Sequence, residues 1–215
     1  METVMCRGRE AKLLVAGDRL REFLCGDVLD VGCDQKTLQR FVDGRYVGVD
    51  LAGAPDLRCD VERPLPFRDG CFDCVTAFDV LEHVDAIHFT LGELCRVSRH
   101  FVILGLPNMY EWRFRWAFLR GNRLGGKYGL PLTRPADRHK WLFSLAEARQ
   151  FVGAQGQCHG FAVCREIVGF YDYRRALPRL LSAVGRRLAP RGVNLMAAHY
   201  WAILSREGAG TDRGP

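Results

Sequence analysis

No apolar stretch approaches the roughly 18 to 20 residues needed to span a bilayer. The longest, at 101–106 and 196–204, fall far short, so no transmembrane helix is expected. The first 25 residues lack an apolar core followed by a small-residue cleavage site, and they carry Glu2, Glu10, Asp18 and Glu22 among their basic residues, which argues against a secretory leader. No repeat and no Ser/Gly linker divides the chain, and 23 Gly with 9 Pro in 215 residues give no low-complexity signal. A fibrous or largely disordered chain is thereby excluded. A second CxxC is missing too: Cys71 and Cys74 stand alone, so a zinc ribbon would lack half of its ligands. The nine cysteines are odd in number and lie inside apolar runs, which predicts buried structural thiols and a reducing, cytoplasmic setting.

The chain does hold enough apolar residues, 48% of the total, for one domain with an elaboration. Short apolar strands are expected at 28–32, 46–51, 57–61, 72–78, 101–106, 161–168 and 198–205. Helical patterns at 36–42, 85–97 and 144–152 alternate with them, the last opened by Ser144 with Glu147 three residues on, a capping box. Buried strands alternating with helices indicate an α/β protein with a mostly parallel sheet covered on both faces. The expected domain runs over 1–206, with a lid or substrate insertion at 109–140, a basic amphipathic helical insertion at 171–192 and a disordered tail at 207–215.

In an open α/β sheet, ligands bind at the carboxyl ends of the strands. Val28-Leu-Asp-Val-Gly-Cys-Asp34 places Gly32 at such an end, where a missing side chain lets backbone approach a ligand. Asp50 ends the next strand and can accept both hydroxyls of a ribose. Asp60 falls where a third strand would end and could accept from the exocyclic amine of adenine, with Leu51 and Val61 on the ring faces.

These segments resemble the class I S-adenosylmethionine-dependent methyltransferases, in particular the group with a type 11 methyltransferase domain. The resemblance rests on Val28-Leu-Asp-Val-Gly-Cys33, Tyr46-Val-Gly-Val-Asp50, Cys59-Asp60, Leu65-Pro-Phe67, Phe72-Asp73, Asp79-Val-Leu-Glu-His-Val84 and Glu93-Leu-Cys-Arg-Val97, and it covers roughly residues 20 to 108. It implies a Rossmann-like, doubly wound sheet of seven strands, the last antiparallel, and S-adenosylmethionine as cofactor. The implied cofactor residues are Asp30, Gly32, Asp34, Asp50, Leu51, Asp60, Val61 and Phe78. The chain departs from the family in its glycine loop: Gly32-Cys33-Asp34-Gln35-Lys36 keeps only the first of three glycines. That predicts a tighter or shifted loop in which Asp34 or Gln35 meets the ammonium of the cofactor's methionine end.

His83, beyond the fourth strand, is the expected catalytic base, since an imidazole titrating near neutrality suits removal of an acceptor's hydroxyl proton. Related ubiquinone-pathway O-methyltransferases carry a metal-associated Glu-x-x-Glu-His pattern here, which makes Asp79, Glu82 and His83 weak metal candidates; no metal is assigned. The 109–140 segment resembles two relatives, predicted methyltransferases of sugar and cell-envelope pathways and a methyltransferase-like partner of homoserine O-acetyltransferase. Asn108, Tyr110 and His139 are the expected substrate-side residues.

From Met109 to Lys140 there are eight Lys/Arg against two Asp/Glu, and from Tyr171 to Gly192 six Arg against one Asp. In 174–188, Leu177, Leu180, Leu181, Val184 and Leu188 share one helical face, which by default packs on the sheet and otherwise lies on an anionic membrane or a phosphorylated lipid carrier. No nucleic-acid module accompanies the charge. The expected function is methyl transfer from S-adenosylmethionine to oxygen on a small polar, glycosylated or lipid-linked acceptor, in a cytoplasmic protein, with peripheral membrane contact through the basic helix as the alternative to its packing on the sheet. The alternative is a non-catalytic, regulatory partner of the methionine-biosynthesis type.

Overall fold

Val28 to Val31 is buried throughout and forms strand β2, whose neighbours on both sides run parallel to it. The computed structural model describes residues 1–6, 11–122, 128, 132–133, 135, 137–171 and 191–208. In chain order the elements are β1 (Glu2–Cys6), α1 (Ala11–Arg19), β2 (Val28–Val31), β3 (Tyr46–Asp50), β4 (Leu57–Arg58), β5 (Phe72–Phe78), α2 (Ile87–Val97), β6 (Ser98–Pro107), α3 (Trp112–Leu119), α4 (Leu145–Cys158), β7 (Phe161–Tyr171), α5 (Arg191–Met196) and β8 (His199–Arg206). All seven expected strands form, and β8 runs antiparallel to both β6 and β7. The count of seven is corrected to eight, because β1 adds itself in parallel to the outer edge of β7. The sheet order is β1-β7-β8-β6-β5-β2-β3-β4.

Two apolar layers cover the sheet. Leu91 and Leu94 of α2 and Ala148 and Val152 of α4 pack on one face, and Ala16 of α1 with Leu20, Leu24 and Leu38 packs on the other. The α-helix expected at 36–42 is instead a 3-10 turn, Thr37–Phe41, because Lys36 enters it in the left-handed region at φ 55°. The strand expected at 57–61 stops at Arg58, since Asp60 turns the chain by accepting from Glu62 N at 3.0 Å. At α4 the capping box forms as read: Ser144 accepts from Glu147 N at 3.2 Å and Glu147 accepts from Ser144 N at 2.8 Å. Cys6, Cys33, Cys74 and Cys95 are buried and none of the nine cysteines is bridged, and burial pushes the Cys6 thiol up to about 11. The basic helix at 174–188 lies outside the described residues, as do tail residues 209–215.

Because the other strands are parallel, Gly32, Asp50, Asp79 and Asn108 follow the carboxyl ends of β2, β3, β5 and β6 on one edge. The reversed β8 brings its first residue, His199, opposite Pro107 on that same edge. Among the described residues, no helix is long and apolar enough to cross a membrane.

Candidate functional site

The chain leaves β2 through a tight coil. Gly32 sits at φ 73°, and a Cβ there would lie 2.3 Å from Val80 Cγ2, so both the backbone conformation and the space demand glycine. Asp34 and Lys36 also take positive φ, 44° and 55°. This coil is stitched to the loop after β3. Asp34 N donates to Asp50 Oδ2 at 3.0 Å, Ala54 N donates to Asp34 O at 2.9 Å, and Lys36 Nζ meets Asp56 Oδ1 at 2.5 Å. The coil is thus tied to the β3 loop, and the Asp34 carboxylate is exposed with Gln35 Nε2 at 3.2 Å from Oδ1.

Asp50, half-buried at the end of β3, also accepts from Ala52 N through Oδ1 at 3.0 Å. Each of its oxygens holds one backbone donor and keeps a second lone pair for a ligand hydroxyl. Asp60 lies beyond β4, with Arg63 Nε 3.6 Å from Oδ2. Leu51 is 63% exposed and Val61 half-buried against the core. Phe78 is placed differently from expectation: it packs edge-on to Trp201 at 6.5 Å within the core layer beneath α1.

Asp30 lies inside the sheet, 3% exposed, and accepts from Tyr46 Oη at 2.6 Å and Thr76 Oγ1 at 2.7 Å. Burial pushes its carboxyl up to about 6, against the two hydrogen bonds that favour the anion. The folded chain therefore keeps a proton that the unfolded chain releases between about pH 4 and 6, so this residue's contribution to stability falls as pH rises through that window. Asp56, held low by Lys36, and Glu93, held low by Arg96, act in the opposite sense, losing their contribution as pH falls. Comparison with Asp30→Asn cancels them. The stability difference should move in the variant's favour by about 2 kcal/mol from pH 4 to 7. Denaturant midpoints across that range check it, and a pH-independent difference would refute it.

At the end of β5, Asp79 takes φ 55° and forms an ion pair with Lys12, which removes it from the metal candidates. His83 closes a 3-10 turn, Leu81–His83. Its Nδ1 lies 2.5 Å from Asp137 Oδ1 and 3.2 Å from Arg138 O, while its Nε2 is 3.8 Å from Glu82 Oε1. His139 stands edge-on to His83 at 4.4 Å, and the Tyr128 hydroxyl meets its Nδ1. Potential ligand atoms of Glu82, His83 and His139 lie within 4.8 Å of one another, so His139 takes the place that the sequence suggested for Asp79.

The segment carrying these partners is strapped across the loop. Lys140 N donates to Glu82 O at 2.7 Å, Trp141 Nε1 donates to Val84 O at 2.7 Å, and Lys140 Nζ lies 2.6 Å from Asp85 Oδ2. Asp137 opens the same Asp-Arg-His run as His139. Its spacing of 54 residues from His83 carries no local signal.

Asn108 corrects the substrate-side expectation. It is 2% exposed, donates to Asn194 O at 2.7 Å and Ala197 O at 2.8 Å, and accepts from Tyr110 N at 3.0 Å. Both amide hydrogens thus serve to pin β6 to α5. Tyr110 remains exposed on the edge, with the Arg115 guanidinium 5.8 Å from its ring. Two residues with no local sequence signal are buried here: Glu111, gripped by Arg113 at 2.7 and 2.9 Å, and His199, edge-on to Tyr171 at 5.2 Å.

A parallel sheet with one reversed strand, a glycine coil after β2 and a carboxylate after β3 define a class I methyltransferase fold. Residues 29–103 match the model of the type 11 methyltransferase domain family. Solved structures agree on the fold. An S-adenosylmethionine-dependent methyltransferase from Archaeoglobus fulgidus is 15% identical, with TM-score 0.58 over 92% of this chain and 96% of that one. A Thermotoga maritima protein described as a possible histamine N-methyltransferase gives 15% and 0.59 over 91% and 89%. Magnesium protoporphyrin IX methyltransferase from Synechocystis, with bound S-adenosylhomocysteine, gives 16% and 0.54 over 90% and 81%. No curated protein matches the sequence.

Proposed function

We propose that this chain binds S-adenosylmethionine at the carboxyl edge between β2 and β3 and transfers its methyl group to an acceptor oxygen. The observation that carries the reading is Asp50 at the end of β3, a carboxylate each of whose oxygens holds one backbone donor and keeps a lone pair to give, beside the coil that Gly32 turns against Val80. The residues fit the group. Asp50 would hold the ribose hydroxyls, Asp60 the adenine amine with Leu51 and Val61 beside the ring, and the Gly32 coil the methionine end, with Asp34 offering a carboxylate to its ammonium. Asp30 acts through the sheet, fixing the strand that presents Gly32.

The cofactor supplies an electrophilic methyl group, so the protein's main task is in-line positioning. His83 takes the acceptor's proton. Asp137 at its Nδ1 favours the tautomer that leaves Nε2 without a proton, ready to receive one. The strap through Lys140 and Trp141 holds that geometry. Tyr110 and His139 face the acceptor, which by the charge of the 109–140 segment is polar and anionic, either glycosylated or lipid-linked.

Calorimetric titration with S-adenosylhomocysteine tests the cofactor, and transfer of labelled methyl to sugar and lipid-linked acceptors tests the reaction. Given turnover, His83→Gln should lower kcat by about a hundredfold with cofactor affinity unchanged, the lower end of general-base catalysis. Asp137→Asn should fall between the two. Unchanged kcat in His83→Gln would remove the base from the scheme. A folded protein that binds no cofactor would favour a methyltransferase-like partner protein, a reading that the stitching of Asp34 to Asp50 and Ala54 supports.

A further inference from the structure

Helix α3 leaves the sheet at the same edge as the candidate site and buries none of its residues. Trp116 is 55% exposed, Phe118 71% and Leu119 76%. Three large apolar side chains within the last turn of one short helix leave its end exposed and apolar, a surface of the kind that soluble proteins avoid. The sequence here carries charge of one sign. The 25 residues from Trp112 to Ala136 contain six Lys/Arg and no Asp or Glu. Acids that flank the stretch are engaged locally, Glu111 by Arg113 and Asp137 by His83. Arg115 and Arg120 lie beside the patch, their guanidinium groups 5.8 Å from the rings of Tyr110 and Trp116.

We infer that α3 is a membrane-docking helix that seats the protein on an anionic bilayer. Trp, Phe and Leu enter the boundary between headgroups and acyl chains, and arginines alongside meet the phosphates. The aliphatic Leu119, with Leu132 fully exposed in the same acid-free stretch, favours lipid over nucleic acid, which would offer flat bases to aromatic rings. Since Asn108 and Tyr110 lead directly from β6 into α3, docking sets the carboxyl edge of the sheet at the headgroup plane, within reach of an amphiphilic acceptor. This assignment stands without the cofactor reading. It places membrane contact on α3, whereas the sequence offers 174–188 for that contact only as the alternative to packing on the sheet.

Sedimentation with sucrose-loaded vesicles of phosphatidylcholine alone, or enriched in phosphatidylglycerol, reads the contact directly. The protein should pellet with the anionic vesicles and not the neutral ones, release with rising salt, and show a blue shift of tryptophan emission that Trp116→Phe largely removes. Phe118→Ser combined with Leu119→Ser should cut vesicle binding by about tenfold or more while leaving the melting temperature in place, because both side chains are exposed. Three results would overturn the inference: no pelleting at low salt, undiminished pelleting of the double variant, or a self-association in free solution that the double variant abolishes. Preferential binding of a short single-stranded RNA that displaces the protein from vesicles would likewise reassign the surface.

Discussion

Asp50→Ala should weaken S-adenosylhomocysteine binding by several-hundredfold. Two hydroxyl groups donating to one carboxylate are worth about 1.5–3 kcal/mol each when charge-assisted, so their loss removes at least about 3 kcal/mol. The same substitution takes away the acceptors of Asp34 N and Ala52 N, bonded at 3.0 Å each, and frees the glycine coil from the loop after β3. Asp50→Asn separates the two effects, because an amide oxygen still accepts from one backbone donor while the charge is gone. Binding should fall in both variants, and further in Ala. Calorimetry with the folded state checked by circular dichroism measures this. Wild-type affinity in a folded Asp50→Ala protein would sink the assignment of the site.

Gly32→Ala is expected to cost about 2–5 kcal/mol of stability. A left-handed conformation costs a residue with Cβ about 1–2 kcal/mol, and φ 73° holds Gly32 there. The new methyl would stand 2.3 Å from Val80 Cγ2, an overpacking that costs about 1–3 kcal/mol more. For a chain of this size the melting temperature should drop by about 5–15 °C. Val80→Ala removes the clash but not the conformational strain, so in a double-mutant cycle it should restore the steric part alone. Full rescue would mean that backbone strain contributes nothing, and no rescue that the turn shifts to avoid Val80.

The core of the fold was legible because its signal is local. Uninterrupted apolar runs mark buried parallel strands wherever they fall, and the Ser144/Glu147 box depends on four consecutive residues. Edge strand β1 was not legible in the same way: only Val4 and Cys6 of its five residues point inward, and its partner β7 lies some 160 residues away in sequence. The 36–42 segment shows periodicity overruled. Its apolar spacing suits a helix, yet Lys36 in the left-handed region leaves room for a 3-10 turn only.

The candidate site divides along the same line. Gly32 and Asp50 could be placed on one edge from sequence because strand ends fix them there, whichever side chains surround them. Asn108 reads as a substrate contact next to a proline, and only the packed α5 reveals that its amide hydrogens serve Asn194 and Ala197. Similarly, Asp79 is withdrawn to Lys12 while His139 and Asp137 arrive at His83 from more than 50 residues downstream. By itself the sequence determined the α/β sheet with its reversed last strand and the edge on which a ligand would sit, since hydrophobic periodicity and strand ends are properties of neighbouring residues. Tertiary structure alone decided which side chains face which across that edge, because burial and hydrogen bonding between segments far apart in the chain leave no pattern within either one.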